Sequence, residues 1–192
     1  MDGKKPLRAF VAIKLPIHII EELARLKKKL VDYGIAARWV RPENIHLTLR
    51  FLGDIPADSV APVLTRMKIA ADGIKPINLS VCGMGVFPNI KRAQVIWVGL
   101  GDESGLLADL NRRLESELDK IGFAPEKRRF APHLTLGRIK KPVSPEALAD
   151  ALGEKAVFSP VPFTAQLIYL IESRLTKNGP IYTDLDFVEF CS

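Results

Sequence analysis

The chain has 192 residues, 47% of them hydrophobic and 26% charged, a balance that excludes a disordered chain. Its 13 glycines and 14 prolines punctuate many short elements and argue against a single helical bundle. Twenty-eight Lys and Arg against 22 Asp and Glu leave a net charge of +6, which suits a polyanionic partner but is shared by many proteins that bind no nucleic acid.

Leu7–Ile13 is apolar and rich in strand formers, so it reads as a first strand. Arg8 and Lys14 interrupt this run, which is too short for a signal segment or a membrane span. A cytoplasmic, non-membrane protein is therefore expected. After Pro16, Ile19, Leu23, Leu26 and Leu30 return at helical spacing, with Gly34 as the stop. Residues 45–52 alternate as a strand, placing Leu47, Leu49 and Phe51 on one face and His46, Thr48 and Arg50 on the other. A second helix follows with Val60, Val63, Leu64 and Met67 as its stripe.

Residues 77–87 and 93–100 read as strands joined by a turn, with GMG at 83–85 as a strand irregularity rather than a dinucleotide loop. A third helix carries Leu107, Leu110, Leu114, Leu118 and Ile121. Residues 130–138 read as another strand, Ser144 and Pro145 open a short helix closing at Gly153, and strands near 163–171 and 181–190 complete the chain. This order favours an α+β fold over a doubly wound sheet. Two cysteines, Cys82 and Cys191, lie outside any CxxC pattern, which argues against a disulfide framework and a structural zinc site.

The tetrapeptide HLTL occurs at 46–49 and again at 133–136, which suggests two related lobes rather than a solenoid. Residues i and i+2 of a strand share a face, so each copy presents His and Thr together while its leucines enter the core. Two such strands side by side would line one groove with His46, Thr48, His133 and Thr135. One imidazole can accept a proton while the other donates one, and threonine hydroxyls can donate to phosphoryl oxygens. A lone His-x-Thr strand is usually structural; a duplicated one that uses two of only three histidines is harder to dismiss. His18 reads as a surface or capping residue. Two histidines with no cysteine or carboxylate triad make an incomplete zinc site, so no metal or cofactor is expected. Basic residues flank both copies: Arg38, Arg41 and Arg50 the first, and Lys127, Arg128, Arg129, Arg138, Lys140 and Lys141 the second. The competing reading of these clusters is a non-catalytic RNA-end binder.

RAFVAIKLP at 8–16, ARWVRPENIHLTLRFLGD at 37–54, GMGVFPN at 83–89, FAPHLTLGR at 130–138 and ESRLTKNGPIY at 172–182 resemble, in this order, the RNA 2',3'-cyclic phosphodiesterases, also called 2'-5' RNA ligases, of the two-histidine phosphoesterase superfamily. The resemblance implies one bilobal domain over 1–192, with intertwined, pseudo-twofold lobes and two antiparallel sheets around a central cleft, helices outside. It implies metal-independent hydrolysis of RNA 2',3'-cyclic phosphate ends to 2'-phosphomonoesters by a monomer, tRNA fragments being one candidate source, and ATP-independent 2'-5' joining as the reverse reaction. His133 is implied to activate water and His46 to protonate the leaving ribose 3'-oxygen, although near-symmetry allows either order. Thr48, Thr135 and Arg138 are the implied phosphate contacts. Strict alternation turns Arg138 away from His133 unless Gly137 hosts a bulge. Phe130, Arg50 and Arg129 are candidate RNA contacts, with a core role equally open to Phe130.

Overall fold

The computed structural model describes residues 6–153, 158–177 and 179–191. β1 (Leu7–Lys14) buries five consecutive residues, Ala9 to Ile13, because apolar groups lie on both of its faces. α1 (Ile17–Asp32) turns Ile19, Leu23, Leu26 and Leu30 inward, and Gly34 leaves the helix with φ +86°, a conformation that glycine adopts without a Cβ penalty. β2 (Ala37–Trp39) precedes a 3-10 turn at Pro42–Asn44, and β3 (His46–Ile55) carries the first HLTL string. α2 (Val60–Ala71), β4 (Ile77–Phe87), β5 (Val95–Gly101) and α3 (Leu106–Asp119) follow. β6 (His133–Ile139) carries the second string, and α4 (Pro145–Leu152) starts where the Ser144 hydroxyl accepts from the Ala147 N–H. The C-terminal region forms three strands rather than two: β7 (Val161–Ala165), β8 (Leu167–Thr176) and β9 (Gly179–Glu189).

Among the described residues all nine strands belong to one antiparallel sheet ordered β7-β4-β5-β6-β3-β1-β8-β9, with β2 added beside β6. Four strands of this order lie on each side of the β6–β3 junction, where only Leu47 and Leu134 are registered. The two expected sheets are thus the halves of one. β4 comes after α2 yet pairs with β5, while β8 follows β7 and pairs with β1, so each half of the chain lends a strand to the other half of the sheet. The large core lies between the sheet and the buried faces of α1 to α4. A second, small cluster of Phe10, Ala12 and Ile171, with Tyr169 and Tyr182 packed on it, floors the opposite face. That face is the groove.

Candidate active site

His46 opens β3 and His133 opens β6, and the Leu47–Leu134 pair sets the two HLTL strings side by side at the centre of the sheet. Leu47, Leu49, Leu134 and Leu136 are buried against the core, while the two histidines and two threonines are half-buried on the groove side. The antiparallel sense places His46 toward Thr135 and Thr48 toward His133. The quartet read from the strings is therefore assembled on one surface.

The two rings are held alike. His46 Nδ1 lies 2.8 Å from the Asn44 carbonyl oxygen and His133 Nδ1 lies 2.7 Å from that of Ala131, each two residues upstream. A carbonyl only accepts, so Nδ1 carries the proton in both rings and Nε2 is left to exchange a proton with a substrate. The surroundings differ. His46 stacks on Phe10 with centroids 4.7 Å apart and meets Tyr182 edge-on at 5.3 Å. His133 meets Phe87 edge-on at 5.0 Å and Trp97 at 6.5 Å. The Trp97 indole is fitted over Gly85, where an added Cβ would come within 2.3 Å of the ring. Burial pushes the His46 imidazole below its ordinary value, against the Asn44 carbonyl, which raises it. Burial raises the Tyr182 phenol, opposed by the positive charges of Arg138 and Arg8.

Bulges interrupt the strands just past each threonine. Val11 is registered with Arg50 and Ala12 with Thr48, so Leu49 is the extra residue in β3. Ile96 is registered with Gly137 and Trp97 with Thr135, so Leu136 is extra in β6. Each bulge reverses the alternation beyond it. Arg50, expected on the groove face as an RNA contact, is instead only 4% exposed and lies beneath the sheet. Its Nη1 is 3.0 Å from Glu115 and 3.6 Å from Glu126, ion pairs by distance without hydrogen-bond alignment, and its Nη2 donates to the carbonyls of Phe123 and Ala124. It cannot reach RNA from there. The same reversal exposes Phe51 on the groove side and turns Arg138 onto the face of His133 and Thr135.

Duplicated strings, each on a strand that follows a strand and a helix, and a shared groove describe two related units, and comparison with known proteins finds the same division. The LigT-like phosphoesterase family model matches twice, at residues 13–97 and 98–182. The chain belongs to this LigT-like phosphoesterase family. An RNA 2',3'-cyclic phosphodiesterase of Methanothermobacter thermautotrophicus is 34% identical over 180 residues, covering 94% of this chain and 97% of the relative. One of Archaeoglobus fulgidus is 35% identical, covering 95% of this chain and 100% of the relative. The crystal structure of the Thermus thermophilus protein TT0787 superposes with a TM-score of 0.76 at 26% identity, over 96% of this chain and 98% of the other. Escherichia coli LigT, crystallised with 3'-AMP, shares the fold with a TM-score of 0.78 at 24% identity, over 97% and 99% of the two chains.

Phe130 is half-buried and packs on the main core, the role left open for it beside base stacking, and Arg129 is exposed on the loop before β6. His18 is exposed and its Nε2 lies 3.2 Å from the Pro162 carbonyl. Beside His46 a cavity of about 280 Å³ opens between Lys14, Glu43, Asn44, Tyr182 and Asp184, with Lys14 and Asp184 ion-paired across it. Tyr182 and Phe10, which pack the His46 ring, carry no local signal in the sequence; they reach it only because β1, β8 and β9 stand in that order. Among the described residues no three His, Cys, Asp or Glu side chains converge as metal ligands, and no helix is long and apolar enough to cross a membrane.

Proposed function

We propose that this protein hydrolyses RNA 2',3'-cyclic phosphate ends to 2'-phosphomonoesters, with His46 and His133 as its acid–base pair. The observation that carries the reading is the matched pair of imidazoles on one face, each fixed through Nδ1 to the backbone carbonyl two residues upstream. The substrate class comes from the names of the full-length relatives. In the reaction His133 Nε2 takes a proton from water as its oxygen attacks phosphorus. The P–O3' bond breaks, and His46 Nε2–H gives its proton to the departing 3'-oxygen. Phosphorus keeps the 2'-oxygen. The Thr48 and Thr135 hydroxyls donate to the non-bridging oxygens, where negative charge grows, and Arg138 adds positive charge on the same face. Arg129 is read as a contact to the RNA on the way into the groove. No metal takes part in this scheme.

The depressed His46 value fits the acid role once substrate is present. Burial favours the neutral His46 ring, and an anionic phosphate between the two strands favours its charged form, so substrate brings with it the proton that the acid step uses. A 5'-hydroxyl in place of water would give a 2'-5' linkage without ATP. The same reading has the chain working as a cytoplasmic monomer, one domain formed by both lobes, on RNA ends that include tRNA fragments.

The test is hydrolysis of a nucleoside 2',3'-cyclic phosphate in excess chelator. His46→Ala and His133→Ala should each lower kcat by roughly 10²–10⁴-fold, the usual contribution of a positioned acid or base. Full activity in either variant would sink the assignment. RNA binding with no turnover by the wild-type chain would leave the non-catalytic binder instead.

A further inference from the structure

The carbonyls that hold the two imidazoles are not supported alike. Asn44, whose carbonyl receives His46 Nδ1, lies in the Pro42–Asn44 turn. Its own N–H donates to the Arg41 carbonyl at 2.9 Å, and the Ile45 N–H donates to that of Pro42 at 3.1 Å. Backbone bonds of the turn therefore fix that carbonyl. Ala131, whose carbonyl receives His133 Nδ1, belongs to residues 123–132, which form no helix or strand. The Phe123 N–H still donates to the Leu118 carbonyl at 3.1 Å, but among the described residues 124–132 make no backbone–backbone hydrogen bond. Side chains hold this segment instead. Arg50, which the Leu49 bulge turns beneath the sheet, donates through Nη2 to the carbonyls of Phe123, at 3.4 Å, and Ala124. Glu115 of α3 lies 3.0 Å from Arg50 Nη1 and accepts the Glu126 N–H at 2.9 Å. The Glu126 carboxylate is 3.6 Å from the same Nη1.

We propose that Arg50 is a positioning residue for His133: it anchors the segment that ends in the Ala131 carbonyl, and so sets the tautomer and the aim of that ring. Arg50 stands two residues past Thr48, so the strand that carries the first histidine grips the chain that leads into the second. Among the described residues no other hydrogen bond or ion pair holds residues 124–130. The guanidinium is 4% exposed, and its planar fork reaches two carbonyls and a carboxylate at once, which a single ammonium cannot do. Hydrogen bonds from a charged donor are also the stronger kind. Were the Ala131 carbonyl to drift, the His133 ring could turn or carry its proton on Nε2, and an Nε2 that carries a proton cannot take one from water. Arg50 thus does for the second imidazole what the 3-10 turn does for the first. This inference rests on the reading of His133 as the base.

The test combines kinetics on a nucleoside 2',3'-cyclic phosphate with nitrogen-15 NMR of the imidazoles, at a pH where both rings are neutral. In the wild type His46 and His133 should each show a protonated Nδ1 and a bare Nε2. Arg50→Lys keeps a positive charge beside Glu115 but loses the fork. Its kcat should fall by about 10–100-fold, the scale of a small misplacement of a reacting group, with KM little changed. The His133 resonances should move toward a mixture of tautomers while those of His46 stay, and the melting temperature reports that the fold is intact. Wild-type kcat, or an unchanged His133 ring, in folded Arg50→Lys overturns the proposal. So does an equal change in both rings, which would mean a general loosening of the groove. If Arg50→Lys does not fold, Glu126→Pro is judged by the same outcomes, since it removes the N–H given to Glu115 and leaves Arg50 in place. If the wild type hydrolyses no cyclic phosphate, the reading of His133 as base fails, and the imidazole spectra alone then decide whether Arg50 fixes that ring.

Discussion

Each imidazole of the groove commits one ring nitrogen to a carbonyl two residues behind it, which fixes both the tautomer and the aim of the other nitrogen. The rings differ in what surrounds them. His46 is packed by Phe10 and Tyr182, and burial lowers its pKa below the ordinary histidine value. As the acid, His46 must be protonated to act. In the free enzyme that proton is lost at lower pH than for an exposed histidine, so the alkaline limb of kcat/KM should lie below the ordinary imidazole range. In the substrate complex the phosphate anion favours the charged ring, and the alkaline limb of kcat should move to higher pH. Paired pH profiles measure both limbs. A kcat limb at or below that of kcat/KM would assign the acid role elsewhere.

The strands show why part of the site was legible in the sequence and part was not. HLTL at 46 and 133 is alternation over four residues, a purely local pattern, and it placed His46, Thr48, His133 and Thr135 correctly on one face. Beyond the fourth residue local alternation fails because of the bulges. At β6 the glycine at 137 offered a hint, and Arg138 does reach the groove face through the extra residue just before it, Leu136. At β3 no glycine marks the bulge at Leu49. There the carbonyl of Leu49 accepts from the Asn111 side chain of α3, 62 residues away, and the Arg50 side chain beneath is received by Glu115 of the same helix. Both partners are tertiary, so a strand read alone puts Arg50 on the wrong face. Arg50→Met should expose the cost: Glu115 is left largely buried without its cation, and stability should fall by about 3 kcal/mol. Urea unfolding measures it, and a midpoint within error of wild type would show that the Arg50 network contributes nothing net.

Over the whole molecule, the net +6 charge acquires a location, because Arg38, Arg138 and Arg8 all stand along one concave face. Each phosphate neutralised by this face releases counterions, so affinity should fall more steeply with salt for an oligonucleotide carrying the cyclic end than for the mononucleotide. Competition binding across a salt series checks this, and equal slopes would mean that only the terminal phosphate is held. The strand exchange has a historical side. With β4 lent to the second half and β8 to the first, the centre of the sheet has the arrangement that two identical short chains would give by pairing across a twofold axis, trading one strand each and being joined end to end. In such an ancestor both imidazoles would have been equivalent. A fused chain is free of that equivalence: Phe51 stands in one copy where Arg138 stands in the other, so the cleft can distinguish the two ends of its ligand.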